Sequence, residues 1–129
     1  MFNLTKIEGG RINVHEPERH TVGASALTIG TVCVLTNGLL VAAGGTTKPT
    51  HITLASGAAG ESILAGRIEP NQVYETTVSA SPASLKVGVK VTVGSTGTDV
   101  TATTTDGIAT VVDLLGAAAV GDIILVRFN

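Results

Sequence analysis

Side chains able to do chemistry are sparse in this 129-residue chain and poorly grouped. The densest set is His15-Glu16-Pro17-Glu18-Arg19-His20. A zinc-protease helix carries two histidines four residues apart, with a glutamate beside the first. Here the interval is five and a proline interrupts it, so the two imidazoles cannot share a helix face. The segment reads as a solvated loop, and no metal site is expected. Gly23-Ala24-Ser25-Ala26-Leu27 supplies a serine but lacks the second glycine of a nucleophile elbow. Gly57-Ala58-Ala59-Gly60-Glu61-Ser62 lacks the Gly-Lys-Ser/Thr ending whose lysine meets the phosphates of a nucleotide. Asp99, Asp106, Asp113 and Asp122 fall at turns and strand ends. Paired acids acting on sugars come with aromatic platforms, which this chain almost lacks. His51 alternates with Ile52 and is expected to face solvent or a neighbouring subunit. Cys33, inside Val32-Cys33-Val34-Leu35, reads as a small buried hydrophobe, because no cation stands nearby to activate a thiol. The chain is therefore expected not to be an enzyme, with no catalytic residue and no cofactor.

The elements that would position these groups are strands. Valines 87, 89, 91 and 93 alternate with Lys86, Gly88, Lys90 and Thr92, the period of a half-buried antiparallel strand. Asn37-Gly38 separates apolar runs at 31–36 and 39–43, and Asp106-Gly107 follows another alternating run. Both dipeptides suit the positive φ angles of a two-residue hairpin turn. Further strands are expected at 50–54, at 62–69 and 72–80 around Pro70-Asn71, and at 123–126. The segment 113–121 reads either as a helical turn stopped by Gly121 or as a loop of small residues. Hydrophobic residues make up 43% of the chain and aromatics only 2%, so the core must be Val, Ile, Leu and Ala. Many short strands with frequent turns define the class: all-β, a small antiparallel barrel or sandwich.

Residues 1–22 differ in character. They hold Lys6, Glu8, Arg11, Glu16, Glu18 and Arg19, six of the eighteen charged residues. Phe2, Leu4, Ile7 and Ile12 fit no single period, Gly9-Gly10 breaks the run, and Pro17 argues against a central strand. The expected organisation is an extended N-terminal arm at 1–22 and a single β-domain at 23–129, with an edge strand at 3–7 as the other reading. The net charge of −2, without a basic cluster or stacking aromatics, excludes nucleic acid as a partner. No apolar run has the length of a signal peptide or a membrane span, so a chain made in the cytoplasm, with no membrane partner, is expected.

The segment 27–78 resembles the capsid decoration, or head-stabilising, proteins of tailed bacteriophages, the lambdoid type in a broad sense. The residues that carry the resemblance are Gly30-Thr31-Val32-Cys33-Val34-Leu35, Asn37-Gly38-Leu39-Leu40-Val41, Lys48-Pro49-Thr50-His51-Ile52, Arg67-Ile68 and Tyr74-Glu75-Thr76. These are hairpin patterns and carry no chemical signature. The resemblance implies a homotrimer on the outer capsid surface of a virion, over threefold or quasi-threefold junctions of the major capsid protein. The arm would then make the contact, through Phe2, Leu4, Lys6, Ile7, Arg11 and Ile12. A tail, baseplate or receptor-binding β-module shares the same composition, and a small sugar-binding or hydrolase domain is the third class.

Overall fold

The computed structural model describes residues 1–8 and 15–128. Every regular element among them is a strand, so the all-β class holds. In chain order these are β1 (Asn3–Ile7), β2 (Pro17–Val22), β3 (Val32–Thr36), β4 (Leu39–Ala42), β5 (His51–Thr53), β6 (Ser62–Arg67), β7 (Gln72–Thr77), β8 (Lys90–Val91), β9 (Ala109–Asp113) and β10 (Ile123–Phe128). They form two units. One is an antiparallel five-stranded sheet in the order β1-β7-β10-β9-β8, and the other is a closed barrel in the order β2-β4-β3-β5-β6. The barrel is antiparallel except where β2 runs parallel to β4.

Each unit has its own apolar interior. Val22, Leu27, Cys33, Leu40, Ile63 and Ala65 fill the barrel. The larger core lies against the sheet and gathers all three aromatic residues of the chain. Phe128 sits between Phe2 and Tyr74, with ring centroids at 5.5 and 5.9 Å. With so few rings available, placing them in mutual contact concentrates their large buried area at one point. Strand β5 belongs to both interiors. Ile52 pairs with Val32 on the large-core side, whereas His51 pairs with Cys33 on the barrel side. That double duty explains why all three residues of β5 are buried.

The arm expected at 1–22 gives way to two strands. β1 pairs with β7 along the sheet edge, as in the other reading of 3–7, and Phe2 is 1% exposed. The Phe2 N–H donates to the Gly30 carbonyl at 2.8 Å. β2 is part of the barrel wall, so the boundary between an arm and a domain at residue 22 is not one the described residues respect. Pro17 is tolerated because it opens β2, pairing with Gly66 on one side, while β4 joins only at Thr21 and Val22.

Other local expectations are met or corrected. The Asn37-Gly38 hairpin forms with φ of 51° and 79°, both positive as the turn requires. Asp106 has a φ of 54°, but Gly107 does not take a positive φ, so the second hairpin turn is not of that type. Gly107 is instead a site of close approach: a Cβ there would lie 2.4 Å from the carbonyl group of Lys90. The strand expected through the valines at 87–93 shrinks to Lys90–Val91, with Val87 exposed. Gly88, at a φ of 90°, breaks it. Residues 114–122 form a loop, in which Asp122 accepts hydrogen bonds from the Ala118 and Ala119 N–H groups, each at 2.9 Å.

Candidate functional site

A barrel of five short strands has room for one file of inward side chains, and the pairing register identifies them. Glu18 lies opposite Ala65, His20 opposite Ile63 and His51 opposite Cys33. Ala65, Ile63 and Cys33 belong to the barrel interior, so Glu18, His20 and His51 point to the same side. One end of the barrel is thus apolar and the other is closed by a carboxylate and two imidazoles. Glu18 and His20 are two apart on β2, hence on one face of it. His51 reaches them from β5 across β6.

The geometry is tight. Glu18 Oε2 lies 3.0 Å from His20 Nε2 and 3.1 Å from His51 Nε2. Its other oxygen, Oε1, accepts a hydrogen bond from Arg67 Nη2 at 3.1 Å. The two imidazoles meet edge to face with centroids 4.9 Å apart. Thr50 Oγ1 is 2.8 Å from His51 Nδ1, which fixes the ring from behind. Hydrogen bonds from His20 and then His51, assisted by the Arg67 charge, hold the Glu18 carboxyl down at about 2. An ionised carboxylate with three donors converging on it is how a polar group is accommodated beside an apolar interior.

The loop expected around His15–His20 is therefore mostly strand, and its residues separate. His15 stacks on Tyr74 with centroids 5.8 Å apart and approaches the Arg67 carbonyl at 3.3 Å. His20 enters the barrel mouth. His51 is buried, contrary to the expectation that it would face solvent or a neighbour. Burial also pushes the Cys33 thiol up to about 12, in keeping with a small interior hydrophobe.

The residues expected to contact a capsid are dispersed as well. Phe2 is in the large core and unavailable as a contact. Leu4 and Ile7 are half-buried on β1, and Lys6 is exposed there. Arg11 and Ile12 lie outside the described residues. A surface that the sequence reading missed is the outer wall of the barrel. Leu39 and Val41 on β4 are 40% and 41% exposed, and Leu64 on β6 is 38% exposed. Alternation placed these residues on strands but left open which face would be covered.

No family model and no curated protein matches the sequence. Among solved structures, the chain is similar in fold to the N base of the head fiber gp8.5 of bacteriophage phi29. The TM-score is 0.63 at 15% identity, covering 90% of this chain and 95% of that one. Because the likeness spans nearly the whole of both chains, it takes in the barrel and the sheet together. At that identity it establishes the shared fold.

Proposed function

We propose that this chain is a non-enzymatic structural protein of a bacteriophage head, seated on the outer surface of the capsid. The observation that carries the reading is the fold shared with the phi29 head fiber base over 90% of the chain. The resemblance of 27–78 to capsid decoration proteins points the same way, independently of the three-dimensional comparison. In this reading the chain is made in the host cytoplasm and binds the major capsid protein as a homotrimer at threefold or quasi-threefold junctions, with no nucleic acid, membrane or cofactor involved.

Two surfaces fit the two contacts. The outer margin of the sheet at β1, where exposed Lys6 has half-buried Leu4 and Ile7 beside it, suits the capsid, because a charge flanked by apolar side chains offers both kinds of contact to a partner. Leu39, Val41 and Leu64 on the barrel wall suit the contact between subunits. Three β1 edges presented at once raise the effective concentration of each, and avidity gains of roughly 10² to 10⁴ follow without any stronger single contact. Since the trimer binds assembled shell and not free capsid subunits, mass action favours the assembled state.

The experiment is co-sedimentation with undecorated capsids. The full chain should pellet with them, and the double variant Lys6→Glu/Ile7→Glu should pellet at least tenfold more weakly while keeping its β-sheet circular dichroism. Full-length protein that stays in the supernatant at every concentration overturns the reading.

A further inference from the structure

We propose that Glu18, His20 and His51 form a binding site for a divalent transition-metal ion of the zinc class at the polar end of the barrel. Among the described residues these three offer ligand atoms that all lie within 4.8 Å of one another. One carboxylate oxygen and two imidazole nitrogens are a donor set that zinc accepts, with the fourth position left to water. In a tetrahedral site with bonds of about 2.0–2.1 Å, neighbouring ligand atoms stand roughly 3.3–3.4 Å apart. Glu18 Oε2 already stands 3.0 and 3.1 Å from the two Nε2 atoms. Both oxygen–nitrogen pairs are thus within about 0.4 Å of the spacing an ion needs, and drawing the two imidazole nitrogens, which lie within 4.8 Å of each other, onto it is the remaining adjustment.

The surroundings are those of a supported ligand set. Metal-binding imidazoles usually give their second nitrogen to a neighbouring acceptor, and ligating carboxylates are hydrogen-bonded in turn. Thr50 Oγ1 stands at His51 Nδ1, and Arg67 holds the Glu18 oxygen that does not face the imidazoles. Without an ion, each Nε2–H donates to Glu18 and Nδ1 of His51 accepts from the Thr50 hydroxyl. With an ion, both Nε2 atoms give up their protons, and His51 carries its proton on Nδ1 and donates it to Thr50. The hydroxyl serves in either direction, so the His51 ring keeps its Thr50 partner in both states. The Arg67 charge opposes a cation only weakly, since its side chain is 60% exposed and solvated. The ligands come from β2 and β5, on either side of β6, so an ion would clamp three barrel strands together. This inference does not depend on the phage-head reading.

The test uses the full chain, stripped with a chelator and then titrated calorimetrically with Zn²⁺ and, separately, with Co²⁺ followed by visible absorption. One ion per chain is expected, with the intense visible bands of a four- or five-coordinate cobalt site and a raised melting temperature. His15→Ala should leave the affinity unchanged. Thr50→Val, at an exposed position, should weaken it roughly 10–100-fold through its effect on the His51 ring. His51→Ala should abolish binding. Absence of saturable binding would mean a hydrogen-bonded plug and nothing more. Full retention in His51→Ala, loss in His15→Ala, or unchanged affinity in Thr50→Val would equally overturn the assignment, and the last holds even where His51→Ala fails to fold.

Discussion

Replacing Phe2 by alanine separates a residue that belongs to the core from one that belongs to a free arm. Phe2 is 1% exposed, its ring lies 5.5 Å from that of Phe128, and its N–H bonds the Gly30 carbonyl. Truncating a buried phenylalanine costs about 3–5 kcal/mol, from lost transfer energy and the cavity left behind. The lower end of that range, about 3 kcal/mol, is the expected figure. A chain of 129 residues has an unfolding entropy of roughly 0.27 kcal/mol/K at about 2.1 cal/mol/K per residue. The melting temperature should therefore fall by roughly 11 °C. Differential scanning calorimetry reads the shift directly, and urea unfolding checks that the cooperativity is kept. A shift below about 2 °C would refute the placement, since surface substitutions cluster within about 0.5 kcal/mol.

The two turn glycines should respond differently. Nothing lies within 4 Å of a Cβ on Gly38, so Gly38→Ala meets only the strain of a positive φ, roughly 1–2 kcal/mol. Gly107→Ala drives a methyl group into the Lys90 backbone and should destabilise more in urea denaturation; the reverse order would contradict the close approach. Backbone hydrogen bonds from Ala118 and Ala119 hold the Asp122 carboxyl below its usual 3.8. Its contribution to stability is thus present above that value and lost as pH falls through the lower folded value. The stability gap between wild type and Asp122→Ala should be constant near neutrality and close in acid. A gap that persists at low pH would show that Asp122 does not act through its ionised form.

What could be read in the sequence was local. Asn37-Gly38 was legible because few residue pairs accept two positive φ angles, and it separates two short apolar runs, at 32–36 and 39–42. The strands expected at 62–69, 72–80 and 123–126 are present at 62–67, 72–77 and 123–128. What escaped depends on distant pairing. Phe2 reads as part of an arm until Phe128 and Tyr74 are placed beside it, and no periodicity in eight residues encodes that. Val87 fits a strand by alternation, but Gly88 at a φ of 90° ends the extended backbone there, although its N–H still donates to the Val111 carbonyl of β9. The Glu18–His51 contact spans 33 residues and exists only because the barrel closes through β6. The one available signal was that β2 alternates Glu18, His20 and Val22, polar and apolar on a single face, which marks an interior that changes character along the barrel.

The measurement closest to the central claim is cryo-electron microscopy of phage heads that lack this chain, before and after adding the purified protein. The account predicts new density on the outer surface, at threefold or quasi-threefold positions, into which three copies of the barrel and its sheet fit as rigid bodies. Heads left bare, or density confined to the tail, would contradict it.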